Sequence, residues 1–333
     1  MRSSNAIVRR TATTVTFVLA LTGLSHAAVA TEFTFASLGL DGVAHGINDS
    51  GAIVGTFGVL VEGVVTPLDV PQTVPRSTIG FGINEGGDVV GSFVADPRRP
   101  FPQGFLYRDG VYKRFTFEQA VEVLGINNDG YMVGRSCCKR GGSPEGFIID
   151  PTGGLQFINV PDSPWDWASG INASGEIVGT FVITTFPSFT TAAYLYSDGV
   201  FMPFEVPGAS RTDANGINDE GEIVGSYEDD SGTHGFFRDT DGTLTPLDFP
   251  GATGTSANGI NNDGDVVGWY TDAAGVHAFL ATPCESAHVH RRHFGRHCGD
   301  SCRTPESAAV GRERKKQGHK DCPNLKRDSR RLS

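Results

Sequence analysis

The chain has 333 residues, 44 of them glycine, with aromatic residues at 10% and a formal net charge of −11. That length suits one large domain or two ordinary ones, and a glycine-rich, aromatic-bearing composition suits short strands and tight turns more than helices. Residues 31–283 hold 11 Lys and Arg against 32 Asp and Glu, a net of −21, whereas residues 284–333 hold 13 against 6, a net of +7. So acidic a body repels nucleic acid and anionic membranes, which excludes both as partners of the main domain.

Residues 1–30 have the three-part layout of a secretory signal: Arg2, Arg9 and Arg10, an apolar run over residues 15–24, and Ala28-Val29-Ala30 as a small-residue cleavage site. The apolar run is short for a membrane span, so the expectation is cleavage near Ala30 and a secreted, extracellular or periplasmic product with no stable membrane span. Thr11-Ala12-Thr13 after the arginine pair argues against twin-arginine export.

Residues 33–37, Phe-Thr-Phe-Ala-Ser, form a short alternating segment that precedes the first repeat. The repeats themselves follow: GINDSGAIVG from Gly46, GINEGGDVVG from Gly82, GINNDGYMVG from Gly125, GINASGEIVG from Gly170, GINDEGEIVG from Gly216 and GINNDGDVVG from Gly259. The intervals between them are 36, 43, 45, 46 and 43 residues. In each unit a strand ends in Asn, two polar residues and Gly make a hairpin turn, and an apolar strand returns. A polar loop, a third strand and a fourth strand then complete the unit.

Four short hairpin-linked strands run antiparallel, since parallel neighbours need long crossovers. A four-stranded unit of about 40 to 50 residues is the period of a propeller blade, and it is too long for a β-helical coil. The sixth unit has only three strands before Pro283, and residues 33–37 have the pattern of the missing fourth. Placing them at the outer edge of the sixth blade closes a six-bladed ring and covers an exposed edge. The first repeat lacks the polar loop at Phe57-Gly58 and is shortened, which keeps a less regular or seven-unit ring open. The repeated Ile and Val read as inter-blade core, and the Gly before Ile as close backbone approach near the axis.

Those turns, together with His277-Ala278-Phe279-Leu280 and the variants His234-Gly235-Phe236, Gln103-Gly104-Phe105 and Glu145-Gly146-Phe147, resemble the bacterial extracellular HAF-type repeat proteins over residues 33–282. The resemblance implies an exported β-rich protein of unassigned activity, often with a C-terminal Pro-Glu-Pro sorting segment. Here Cys284-Glu285-Ser286 stands instead.

Candidate chemistry is sparse. Asp239-Thr240-Asp241-Gly242 and Asn261-Asn262-Asp263-Gly264 offer oxygen ligands for calcium but lack the rest of a calcium loop, and turn chemistry accounts for them. No cofactor is expected otherwise. The residues before the repeated Gly include His45, Ser169, Asn215 and Asn258, which would make a polar end of the channel for a small ligand or glycan. The tail after residue 283 reads as a basic, disordered extension, with His297, Cys298 and Cys302 as weak metal ligands that lack paired zinc spacing. No metalloprotease, nucleophile-elbow, phosphate-loop or dinucleotide motif occurs. The expectation is a monomeric, secreted, non-catalytic propeller that binds a glycan or another extracellular protein. The alternative is a propeller enzyme acting on an extracellular polysaccharide.

Overall fold

A computed structural model describes residues 31–115, 120–137, 144–184 and 189–284. The signal-like residues 1–30 and the tail candidates His297, Cys298 and Cys302 lie outside the described residues. Among the described residues there is no helix.

The chain opens with β1 (Phe33–Asp41). Blade 1 is β2 (Ala44–Ile47), β3 (Ile53–Gly55), β4 (Gly58–Val61) and β5 (Val64–Thr66). Blade 2 is β6 (Ile79–Ile83), β7 (Val89–Asp96), β8 (Arg99–Arg108) and β9 (Val111–Phe115). Blade 3 is β10 (Ala120–Ile126), β11 (Met132–Cys137), β12 (Glu145–Ile149) and β13 (Leu155–Ile158). Blade 4 is β14 (Asp166–Ile171), β15 (Ile177–Thr184), β16 (Thr190–Ser197) and β17 (Val200–Phe204). Blade 5 is β18 (Arg211–Ile217), β19 (Ile223–Asp229), β20 (Gly232–Arg238) and β21 (Leu244–Leu247). Blade 6 is β22 (Gly254–Ile260), β23 (Val266–Asp272) and β24 (Gly275–Pro283), with β1 as its fourth strand.

Within each blade the strands pair antiparallel in chain order, innermost to outermost. Blades 4 and 5 are additionally joined by a single parallel bridge, Thr191 to Arg211. The closing strand pairs Phe33 with Pro283 and Ser37 with Phe279, then shifts register to pair Asp41 with His277. The ladder extends to Cys284, whose N–H donates to the Glu32 carbonyl at 2.7 Å. Phe33 and Phe35 lean across to Phe237 and Phe249 of blade 5, with ring centroids 5.4 and 5.9 Å apart. Burying that aromatic surface fixes the closing strand more firmly than its backbone bonds, each worth about 0.5–1.5 kcal/mol.

The hairpin turn of each repeat has one solution. The N–H of Gly51 donates to the Asn48 carbonyl at 2.9 Å, and the same bond recurs from Gly87, Gly130, Gly175, Gly221 and Gly264. These six glycines have φ between 77° and 87°, which is why no other residue stands there. Blade 1 is trimmed where its sequence is short: β3 and β4 are joined by Thr56-Phe57 alone, and Val61 and Val64 are exposed.

The core lies between blades. Val178 and Ala193 of blade 4 pack with Ala214, Ile217 and Phe236 of blade 5. Across the closure, Val267 and Ala278 of blade 6 pack with Ala44, Ile47 and Ile53 of blade 1. Ile and Val of the repeat therefore act where two sheets meet, at roughly 1.5–3 kcal/mol per buried side chain.

Candidate functional site

Two ends of the central axis are built differently. The lower end is where the first turn of each repeat falls. There Asn48, Asn84, Asn127, Asn172, Asn218 and Asn261 form a closed ring. Each side-chain Nδ2 donates to the backbone carbonyl of the next asparagine at 3.0–3.2 Å, and Asn261 returns to Asn48. Each Oδ1 accepts the N–H four residues on in its own turn at 2.9–3.0 Å.

A second ring lies just outside. The N–H groups of Asp49, Glu85, Ala173, Asp219 and Asn262 donate to side chains of the following blade, namely Glu85, Asn128, Asp219, Asn262 and Asp49, at 2.5–2.9 Å. Ala173 has no side-chain acceptor, so the ring is broken opposite Asn128. The cavity these turns enclose measures about 70 Å³. Many of its polar groups hold neighbouring blades together, which makes this end a structural hub. Of the two loops with oxygen ligands, Asn261 belongs to the ring, and Asp239 and Asp241 accept bonds from Thr240 and Thr243 of their own turn. Among the described residues no group of three or more His, Cys, Asp or Glu is placed to hold a metal.

Above the hub the innermost strands touch at the repeated glycines. A Cβ on Gly259 would stand 2.7 Å from the His45 carbonyl and 2.9 Å from the Gly46 Cα. The residue before each of these glycines sits at a β-bulge, where the register shifts in all six blades. This level carries the four candidates from the sequence. Asn215 donates to the Ala257 carbonyl at 2.9 Å and lies 3.4 Å from the Asn258 Oδ1. Asn258 donates to the Ala44 carbonyl at 2.8 Å, beside His45. The His45 ring meets the Phe81 ring at 4.8 Å, and burial pushes its pKa down to about 4, so the imidazole is neutral. Ser169 occupies the equivalent place in blade 4. The structure thus brings Asn215, Asn258 and His45 together as bridges from blade 5 through blade 6 to blade 1.

The upper end begins two residues earlier in the chain, with Ile79, Glu122, Trp167, Asp213 and Ser256 on the innermost strands and Val43 just before β2. Here the blades have diverged. Glu122 on blade 3 is ion-paired to Arg135 through Nε. Asp213 on blade 5 accepts the Thr191 hydroxyl at 3.1 Å and lies 3.7 Å from Arg211. Burial raises its pKa above the usual carboxylate range, against the opposing pull of Arg211 and Thr191. Arg211 also reaches Glu228 at 3.5 Å and stacks 5.6 Å over Phe189, whose ring meets Trp165 at 5.6 Å. Trp167, on the blade between the two carboxylates, uses its carbonyl to accept the Tyr194 hydroxyl at 3.1 Å.

Asp213, with Arg211 beside it and the Phe189 and Trp165 rings beyond, is a carboxyl in a setting that suits acid–base chemistry. Sequence reasoning missed Glu122, Trp167, Asp213 and Arg211. The signal was the column two residues before the bulge, which reads Val, Ile, Glu, Trp, Asp, Ser where a structural position would repeat.

No protein-family model matches the chain, and no curated protein matches it. Among solved structures it is similar to a gluconolactonase from Xanthomonas campestris, at 14% identity over 75% of this chain and 89% of that one, with a TM-score of 0.44. The β-propeller domain of the trilobed protease from Pyrococcus furiosus is similar at 11% identity over 73% and 85%, with a TM-score of 0.49. A calcium-binding regucalcin from Agrobacterium tumefaciens is similar at 14% identity over 77% and 96%, with a TM-score of 0.46. The chain is a β-propeller. The expectation of a non-catalytic module is corrected to this extent: it has no support among these neighbours, which include gluconolactonases.

Proposed function

We propose that this chain is an exported enzyme that cleaves a glycoside at the upper end of its axis. The observation that carries the reading is Asp213, a partly buried carboxyl 3.1 Å from the Thr191 hydroxyl and 3.7 Å from Arg211, with a pKa raised by burial, at a level of the axis where the six blades differ. A carboxyl whose pKa is raised by burial is suited to serve as a general acid toward the leaving oxygen. Glu122 of blade 3, held in place by Arg135 of the same blade, serves as the second carboxylate of the pair. Trp167 and the Trp165–Phe189–Arg211 stack supply faces for a sugar ring. The leader-like residues 1–30 and the resemblance to HAF-type repeat proteins support action outside the cytoplasm.

The test is reducing-end release from a panel of polysaccharides and aryl glycosides by residues 31–333. D213N and E122Q are each expected to lower turnover by about 100-fold or more, with thermal unfolding unchanged or raised. Release by D213N at the wild-type rate, or no release from any substrate by the wild type, would overturn the assignment.

A further inference from the structure

The groove between blades 2 and 3 holds a second cavity, of about 370 Å³. Its walls are apolar: Leu106 and Val111 from blade 2, Met132 and Pro151 from blade 3. Charged side chains stand on the same lining. Arg108 is already closed by Asp88, to whose carboxylate it donates from Nε at 2.8 Å and from a terminal nitrogen at 2.5 Å. Lys113 has its Nζ 5.5 Å over the Phe115 ring. Neither Lys113 nor Asp129 makes a side-chain hydrogen bond or ion pair with any other described residue, and both are exposed. The lining therefore keeps one ammonium and one carboxylate for something else, with Asp109 as a further carboxylate.

Blades 5 and 6 show what a groove of this plan takes up. Phe237 pairs with Val224 as Leu106 pairs with Val90, and Val266 pairs with Ile260 as Met132 pairs with Ile126. Pro283 matches Pro151, two residues beyond the partner of Val266 or Met132. The closing strand then pairs Phe33 with Pro283 and lays its ring 5.4 Å from Phe237. In blade 3 the chain turns at that point instead. The Gly153 N–H donates to the Asp150 carbonyl at 2.9 Å, and Gly153 brings no side chain where Phe33 stands. One groove is filled by an aromatic ring, and its counterpart has the same apolar walls without one. The lining differs too, since Lys113 pairs with Leu106 where Thr245 pairs with Phe237. The ammonium thus belongs to this groove and not to the repeat.

We propose that the groove between blades 2 and 3 binds a free aromatic α-amino acid. Its ring takes the place that Phe33 takes between blades 5 and 6, its carboxylate meets Lys113, and its ammonium meets Asp129. Burial of the ring supplies the affinity, and the two charges select for a zwitterion. Such a ligand has no net charge, so the acidic body of the chain does not repel it as it would an aromatic acid.

Calorimetric titration of the full chain with L-phenylalanine tests this. A dissociation constant of about 1 mM or tighter is expected. L-alanine lacks the ring, L-phenylalaninamide lacks the carboxylate and hydrocinnamate lacks the ammonium; each is expected to bind at least about fivefold more weakly. K113Q and D129N alter exposed side chains, so thermal unfolding is expected to stay as in the wild type while phenylalanine binding weakens by about fivefold or more. No binding of phenylalanine, binding unchanged in both variants, or phenylalaninamide bound as tightly as the free amino acid overturns the site.

Discussion

The two ends of the axis descend from the same repeat and have been put to opposite uses. At the lower end six asparagines make the same two bonds in every blade, and a single departure, Ala173, breaks an outer ring that five other residues complete. At the upper end the equivalent strand positions hold six different residues, and the carboxyl groups there pair with partners peculiar to their own blades. Where every unit must meet its neighbour in the same way, variation is costly. Where a substrate meets the ring from one side, identity between blades is of no use, because a site needs different groups at different places.

The sharpest way to break this contrast is at the glycine level between the ends. G259A places a Cβ 2.7 Å from the His45 carbonyl and 2.9 Å from the Gly46 Cα, with backbone on both counts, and should cost more than about 3 kcal/mol or prevent folding. G170A, whose nearest neighbour would be a Val178 methyl at 3.1 Å, should cost less. Urea unfolding of the pair measures the difference.

His45 gives a pH signature to the same level. Its pKa falls from 6.5 to about 4 on folding, so the unfolded chain binds more protons between those values. Stability from this group is full above pH 6.5 and is lost as the pH falls toward 4, by roughly 3 kcal/mol. In H45Q the midpoint of denaturation should vary less over that window, and an unchanged slope would show that His45 is not the group responsible.

At the hub, N218A removes the bond to the Asn261 carbonyl and leaves the Glu222 N–H without its side-chain acceptor. A loss of about 2–3 kcal/mol is expected, against less than about 0.5 kcal/mol for S169A at the bulge level. The smallest effect should come from mending the outer ring. A173N offers the Asn128 N–H the acceptor that the other blades provide, and a gain of about 0.5–1.5 kcal/mol is expected by thermal and urea unfolding. Asp213 separates the two roles most cleanly. Its raised pKa means that ionisation opposes folding, so stability falls as the pH rises through its folded-state pKa. D213N should remove that penalty while lowering the proposed turnover by about 100-fold or more.

Much of the ring was legible because repetition reports shared physics. The turn glycine, the asparagine before it and the paired valines each recur because six copies face one geometric demand, and residues 33–37 could be matched to β24 because one strand was missing and one was spare. The bulge-level residues His45, Asn215 and Asn258 were found by the same reading of columns. Glu122 and Asp213 were not, because their meaning lies in partners from other strands: Arg135 across a hairpin for one, and Thr191 of the neighbouring blade for the other.

By itself the sequence determined the local demands: where the chain turns, which faces are apolar, and how many units stack. Those follow from backbone conformation and burial acting within a few residues. Only the tertiary structure decided that asparagines thought to serve their own turns also bind the next blade, and that Asp213 meets a threonine of the neighbouring blade. Hydrogen bonding and desolvation depend on what surrounds a group after the ring has closed, and that neighbourhood is set by strands distant in the chain.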